Sequence, residues 1–364
     1  MTASAPHAAA SRAADPQAAA REPAAPLAAL PRTAAAPAGA AEPADVAAGR
    51  APAPRIALLS RSLDLGFLVP EILRQAPDAV VATGPDAAGF ESAEVAVCWN
   101  PPFDELSRMR ELRLVQSIAA GVDHLLIGGR LPVDVPICRV LDPGMAAGMS
   151  AYVCWAVIHR QRHFDRMVAA AAKQQWQEQP IVPPQRHRVG IAGLGWLGSA
   201  CARALLAIGY DVCGWTRGGA RPAVPGVALY HGDEQRDEFL AGCDTLVCLL
   251  PLTAATEGFL SKPVFDALPR GAHVINAGRG AHLVEADLLA AIAEGRVGAA
   301  TLDAFASEPL PPDHPFWREP RILVTPHIAS RTSVAMIVTQ TLDNLARVRR
   351  GERPPASVDP ARGY

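Results

Sequence analysis

Apolar residues along this chain fall in short unbroken runs rather than in alternation. Arg55–Ser60 (RIALLS), residues 79–83, Val95–Trp99, residues 112–118 and the short run 137–141 each read as a strand. Continuous apolar runs of that length suit parallel strands covered on both faces. Helices are expected at residues 67–76 and from about Phe103. Residues 145–176 then read as one long helix, or two joined, with apolar positions at Met149, Tyr152, Val153, Ala156 and Val157. The Pro-rich stretch from Pro180 to Pro184 reads as the natural boundary.

A second series starts at Arg188. Strands are expected at Arg188–Ala192, Asp211–Thr216 and residues 245–250, 273–277, 298–304 and 321–325. Helices lie between them, including Trp196–Ile208 and residues 285–294. A final helix, residues 332–349, carries the chain away again. Alternating strands and helices imply right-handed crossovers and a doubly wound sheet. Two such series predict an α/β fold of two Rossmann-like parallel-sheet domains with a cleft between them.

The chain has 364 residues, which at roughly 150 per domain also points to two domains. Its first 54 residues hold 25 Ala, 9 Pro and no aromatic residue. They read as a disordered extension or a misplaced start, since Pro interrupts any apolar stretch a signal peptide needs. Asp15, Glu22, Glu42 and Asp45 argue against a transit peptide. The formal net charge is −2, from 34 basic and 36 acidic residues. That balance gives no basic stripe for nucleic acid and no polybasic membrane patch. The longest uncharged apolar run, residues 143–159, is marginal for a span and fits a buried helix better. Seven Cys with no Cys-x-x-Cys spacing point to a reducing compartment, the cytoplasm, with no disulfide framework and no metal site.

Candidate chemistry begins with Gly193-Leu194-Gly195-Trp196-Leu197-Gly198, a G-x-G-x-x-G motif. Alone it is weak. Here it follows a strand and opens a helix, which is the context a dinucleotide needs. Gly193 permits the tight turn, Gly195 lets backbone approach a pyrophosphate, and Gly198 lets helix and strand pack closely. The helix N-terminus offers N–H groups and partial positive charge to the anion.

The end of the next strand selects the dinucleotide. An NAD-preferring site carries Asp or Glu there, bonding the ribose 2′-hydroxyl. This chain has Thr216 and Arg217, with Asp211 at the opposite end of the strand. A guanidinium can bind a 2′-phosphate bidentately. NADPH is therefore expected over NADH, with NADH still usable. An ordinary surface Arg217 and mixed specificity is the plainer alternative.

Three further segments place polar groups at strand C-termini, where doubly wound sheets bind ligands. They are Asn276-Ala277-Gly278-Arg279-Gly280, then Asp303-Ala304-Phe305-Ala306-Ser307-Glu308-Pro309, then Thr325-Pro326-His327-Ile328-Ala329-Ser330. A bound dinucleotide brings hydride chemistry, which needs a group beside it to move a proton. A His titrates in the right range for the proton, and a neighbouring carboxylate favours its imidazolium form. The glycines flanking Arg279 suggest a point where a ligand approaches.

With the glycine motif, these segments resemble the D-2-hydroxyacid dehydrogenase family over nearly all of residues 55–350. Trp99-Asn100-Pro101-Pro102, the Trp215-Thr216-Arg217 strand end and Glu308-Pro309-Leu310-Pro311 are most similar to its glyoxylate/hydroxypyruvate reductase branch. The resemblance implies NADPH-dependent reduction of glyoxylate and hydroxypyruvate, with His327 as proton donor, Glu308 as its partner and Arg279 on the substrate carboxylate. It implies that the backbone of Ala120 and Gly121 binds the same carboxylate and that Trp99 walls the pocket, unless Trp99 only packs the core. Asp303 would take the nicotinamide carboxamide, and Leu250 and Pro251 would cover the adenosine side. Residues 55–148 with 331–364 would bind substrate and residues 149–330 the dinucleotide. Hinges would lie near residues 141–148 and 329–332. A homodimer through residues 145–176 is expected, although that apolar stripe also fits packing within one chain.

The chain departs from the family in its Ala/Pro tail and in Gly278, where Ala is common. No regulatory module is expected beyond residue 350. A corepressor-like dinucleotide sensor on the same fold is the alternative of a different class. A formate dehydrogenase-like enzyme is disfavoured by Glu308, since that branch carries an amide there. Thr216→Asp is expected to move kcat/KM from NADPH toward NADH; steady-state rates with both cofactors check this, and an unchanged ratio would refute it.

Overall fold

The chain is described from a computed structural model covering residues 52–126, 134–218, 224–360 and 362–363. The extension read at residues 1–54 lies outside these, apart from its last three positions. Five strands form the first sheet: β1 (Arg55–Ser60), β2 (Val80–Ala82), β3 (Val95–Trp99), β4 (Leu114–Ser117) and β5 (Ile137–Cys138). Their order is β2-β1-β3-β4-β5, and every pairing is parallel. The second sheet comprises β6 (Arg188–Ala192), β7 (Asp211–Thr216), β8 (Ala228–His231), β9 (Thr245–Cys248), β10 (Ala272–Asn276), β11 (Val297–Leu302) and β12 (Ile322–Val324). It runs β12-β11-β10-β9-β6-β7-β8, again parallel throughout. Strands β4, β9 and β10 are buried along their whole length, as unbroken apolar runs require when helices cover both faces.

The helices are α1 (Val69–Gln75), α2 (Phe103–Leu106), α3 (Asp123–Leu126), α4 (Pro143–Gln161), α5 (Phe164–Ala172), α6 (Trp196–Ile208), α7 (Arg236–Ala241), α8 (Lys262–Ala267), α9 (Glu285–Ala293) and α10 (Val334–Arg349). The long apolar segment is thus two helices. His163 takes a left-handed conformation (φ 57°) between them, where Arg160-Gln161-Arg162-His163 supplies no apolar stripe to continue α4. Strand β8 was not expected, and the six-residue helices α7 and α8 fall among the helices expected between strands, without bounds of their own. The first is a partly exposed edge strand without an apolar run, and the other two are too short to show a helical period.

Two helices carry the chain between the sheets. Met149, Val153 and Val157 of α4 leave the first sheet behind and pack with Val189 and Ile191 of β6 and Leu205 of α6. Ile337, Val338 and Leu345 of α10 return to cover Ile56, Leu58, Val95, Val97 and Leu114 of the first sheet. The crossings lie side by side. Asp142 caps α4 by accepting from the Gly144 N–H (2.8 Å), and its other oxygen accepts from Ser333 (2.9 Å), the residue capping α10. Ser330 Oγ donates to the Met145 carbonyl (2.6 Å) and the Gln340 amide to that of Leu141 (2.7 Å). No helix among the described residues is long and apolar enough to cross a membrane, and all seven Cys are free and buried.

A buried carboxylate fixes the end of α10. Glu94 accepts from Arg349 through both oxygens (3.1 and 2.5 Å), with Arg55 and Arg113 within 3.7 Å. Burial alone would push this carboxyl up; the Arg349 guanidinium, aided by Arg55 and Arg113, outweighs it and holds the pKa below its ordinary value. A lowered folded-state pKa stabilises the fold above the ordinary carboxylate range and ceases to do so as pH falls through the lowered value. Glu94→Ala is expected to cost roughly 3 kcal/mol at pH 7, leaving the largely shielded Arg349 guanidinium without a carboxylate while Arg55 keeps Glu111. Urea unfolding checks this, and the gap to wild type should close as pH is lowered.

Candidate active site

In the second sheet the chain order reverses at β6, which lies between β7 and β9, and the glycine turn sits at that switch point. Gly193 has φ 101°, and a Cβ there would stand 2.6 Å from the Leu249 carbonyl oxygen. A Cβ on Gly198 would meet the Gly193 carbonyl at 2.0 Å. Gly195 faces open space, so the turn is closed on two sides by protein and open on the third. Trp196 and Leu197 begin α6 there, and first-turn N–H groups have no intrahelical acceptors. This cradle fits a pyrophosphate.

The other cofactor-side positions border the same cleft. Thr216 is buried at the end of β7, its hydroxyl 2.9 Å from His231 Nδ1, and exposed Arg217 follows it. Asp211 is taken up by Arg188 (2.6 Å) at the far end of the strand. Leu250 is buried in the core beside Pro251, whose carbonyl accepts from Thr256 Oγ1 (2.6 Å).

Polar groups converge from the ends of the neighbouring strands β10, β11 and β12. After β10, Asn276 braces the loop, donating to the Arg279 carbonyl (3.0 Å) and accepting from the Gly278 N–H (3.2 Å). His282 Nδ1 accepts from the Arg279 N–H (3.0 Å), which requires a neutral ring; burial pushes its pKa down to about 4. The glycines flanking Arg279, expected to admit a ligand, instead face protein. A Cβ on Gly278 would press on the His282 ring (3.0 Å), and one on Gly280 would overlap the Phe305 backbone (1.9 Å). They are there for chain packing.

After β11, buried Asp303 organises the turn that follows β12. Its carboxylate accepts from Thr325 Oγ1 (2.7 Å), the Ile328 N–H (2.9 Å) and the Ala329 N–H (2.8 Å). His327, enclosed by that clamp, has φ 52°, a left-handed conformation for a residue with a Cβ. Its Nδ1 lies 2.8 Å from Glu308 Oε2, while Glu308 Oε1 accepts from the Phe305 N–H (2.9 Å). With Nδ1 engaged, Nε2 is the ring nitrogen left to face a ligand. A carboxylate-held imidazole with one nitrogen directed outward is suited to general acid–base work.

The first sheet supplies the opposite wall. Trp99 ends β3 half-buried, with its ring centroid 4.2 Å from that of His124; it packs on the core and lines the cleft at once. Ala120 and Gly121 follow β4. A Cβ on Gly121 would lie 2.0 Å from Arg279 Nη2, so this glycine is needed for the guanidinium to come close. Arg279 Nε donates to both oxygens of Asp123 (3.1 and 3.2 Å), and Nη1 to the Gly278 carbonyl (3.0 Å). Every residue given a catalytic, cofactor or substrate role from the sequence borders this one cavity of about 810 Å³. Asp123 and His282 were not singled out. The only sequence signal for Asp123 is an acid two residues past a glycine at a strand end; His282 carries none.

The profile of the family described as "D-isomer specific 2-hydroxyacid dehydrogenase, NAD binding domain" matches residues 154–329. A Serratia proteamaculans protein named glyoxylate/hydroxypyruvate reductase A is 40% identical over 279 residues, covering 75% of this chain and 88% of that one. The crystal structure of a Xanthobacter autotrophicus D-isomer specific 2-hydroxyacid dehydrogenase in complex with NADPH and MES superposes with a TM-score of 0.80, at 35% identity, over 86% of this chain and all of that one. That of an NADPH-dependent glyoxylate/hydroxypyruvate reductase from Sinorhizobium meliloti, in complex with NADP and sulfate, gives 0.78 at 34% identity, over 86% and 100%. The chain belongs to the D-isomer specific 2-hydroxyacid dehydrogenase family and is an NAD(P)-dependent oxidoreductase. Within the family it sits in the branch whose members carry the name glyoxylate/hydroxypyruvate reductase A.

Proposed function

We propose that the protein reduces small 2-oxo acids such as glyoxylate and hydroxypyruvate to the 2-hydroxy acids glycolate and D-glycerate, using NADPH. The observation that carries this is the His327–Glu308 pair at 2.8 Å, lining with Arg279 a cleft that also holds the glycine turn. When bound, the reduced nicotinamide supplies the hydride. The turn Gly193–Gly198, with the backbone of Trp196 and Leu197, holds the pyrophosphate, and Leu250 and Pro251 cover the adenosine side. Arg217 takes the 2′-phosphate beside Thr216, where an acid would repel it. Asp303 has one oxygen with a single protein donor, leaving capacity to accept from the carboxamide.

On the substrate side, Arg279 and the N–H groups of Ala120 and Gly121 hold the carboxylate. The same guanidinium polarises the carbonyl toward charge development on its oxygen. His327 gives a proton from Nε2 to that oxygen, and Glu308 fixes the direction of the ring through Nδ1. Trp99 limits the room for longer side chains. Residues 149–330 act as the dinucleotide half; residues 55–148 and 331–364 act as the substrate half. Closure about the adjacent crossings near 141–148 and 329–332 excludes water. Seven buried thiols suit the cytoplasm.

The chain works as a homodimer in this reading. Trp155, Phe164, Val168, Trp176 and Ile181 are exposed along α4, α5 and the segment beyond, with Trp176 93% accessible. A second copy would cover this apolar surface. Light scattering is expected to return twice the 38.2 kDa chain mass at micromolar concentration, and a monomer would refute the assembly. Loss of NADPH absorbance with glyoxylate and hydroxypyruvate tests the activity itself. His327→Ala is expected to lower kcat by roughly 10²- to 10⁴-fold while cofactor affinity holds; a variant with full rate would overturn the proton-donor assignment.

A further inference from the structure

The guanidinium assigned to the substrate carboxylate is itself held by a residue from the opposite half of the molecule. Asp123 opens α3 after β4, 156 positions before Arg279, and receives its Nε with both oxygens (3.1 and 3.2 Å). Both side chains are largely shielded, with 16% of Asp123 and 26% of Arg279 exposed. The remaining contacts complete a clamp: Nη1 donates to the Gly278 carbonyl, and Nη2 lies against Gly121.

The loop that carries Asp123 is braced on either side of it. Ser117 Oγ, at the end of β4, donates to the Gly121 carbonyl (3.1 Å) and accepts from the Ala119 N–H (3.0 Å). His124 Nε2 lies 3.3 Å from the same hydroxyl, and its ring packs on Trp99. Burial pushes His124 down to about 4, so it is neutral near pH 7 and adds no charge to the pair. Asn276 and His282 fix the Arg279 backbone from the other side.

We propose that Asp123 is a positioning residue for the reduction: by holding Nε, it sets the plane of the Arg279 guanidinium so that its Nη edge is presented to the 2-oxo acid carboxylate. This rests on the proposed role of Arg279. A guanidinium has five donors in a fixed planar fork, so fixing Nε removes the swing that would otherwise misdirect the other nitrogens. The cost of forming the productive orientation is then met before substrate arrives. Because the two side chains come from opposite walls, the pair forms only when the cleft has the width seen here. Orientation of the arginine is thereby tied to the separation of the two walls.

The test is a set of variants assayed with glyoxylate and NADPH. Asp123→Ala is expected to lower kcat/KM roughly 10- to 100-fold, the range for losing a hydrogen bond to a charged group. NADPH affinity, read by fluorescence titration, should stay within twofold. Asp123→Asn retains an oxygen that can accept from Nε and is expected to recover most of the loss. In a double-mutant cycle, Asp123→Ala should cost almost nothing on top of Arg279→Ala. Binding of oxalate, an unreactive analogue of glyoxylate, to the NADP-loaded protein gives a second readout if Arg279→Ala turns over too slowly to measure. Oxalate affinity should then fall with Asp123→Ala in the wild-type background and not in the Arg279→Ala one. Unchanged kcat/KM in Asp123→Ala, an equal loss in both backgrounds, or weakened NADPH binding would overturn the inference while leaving Arg279 in place. Full turnover in Arg279→Ala would overturn the reading of the site, and this inference with it.

Discussion

One buried carboxylate sets the geometry of the candidate site. Asp303 gathers a hydroxyl and two backbone N–H groups from the turn after β12, and within that turn His327 adopts a backbone conformation that residues with a Cβ rarely take. Such a conformation costs on the order of 1 kcal/mol and persists only where its surroundings over-determine it. Three hydrogen bonds to an ionised acceptor are ample to do so. The result is an imidazole whose one nitrogen meets Glu308 and whose other is directed away from it. Without the clamp, the strand ends would still converge, but the ring would lack a defined direction.

Much of this was legible in the chain before any coordinates. Unbroken apolar runs marked the parallel strands, and the glycine turn stood out because it joined a strand to a helix. What escaped notice has physical reasons. Edge strand β8 is half-exposed and carries no run of apolar residues. The break at His163 depends on one residue's backbone angle, which composition does not reveal. Asp123 was invisible as a partner for Arg279 because the contact joins two walls separated by most of the second sheet in sequence. The flanking glycines of Arg279 were misread because close approach to protein and close approach to ligand ask for the same missing Cβ.

The site also relies on how the sheets share helices. Helix α4 follows the first sheet in sequence yet buries its face on the second, and α10 does the reverse. Their starts are bridged by a single acid, Asp142, which caps one and reaches the residue that caps the other. The walls of the cleft are therefore joined at one edge by hydrogen bonds and meet again across it at Asp123 and Arg279.

This exchange has a consequence for how the protein is made. The first sheet leaves the ribosome nearly two hundred residues ahead of α10, the helix that seals one of its faces. Throughout that interval Ile56, Leu58, Val95, Val97 and Leu114 lack their final cover, and the second sheet is made in the meantime, its last strand only just preceding α10. The nascent chain thus matures out of order, with the part synthesised first completed last.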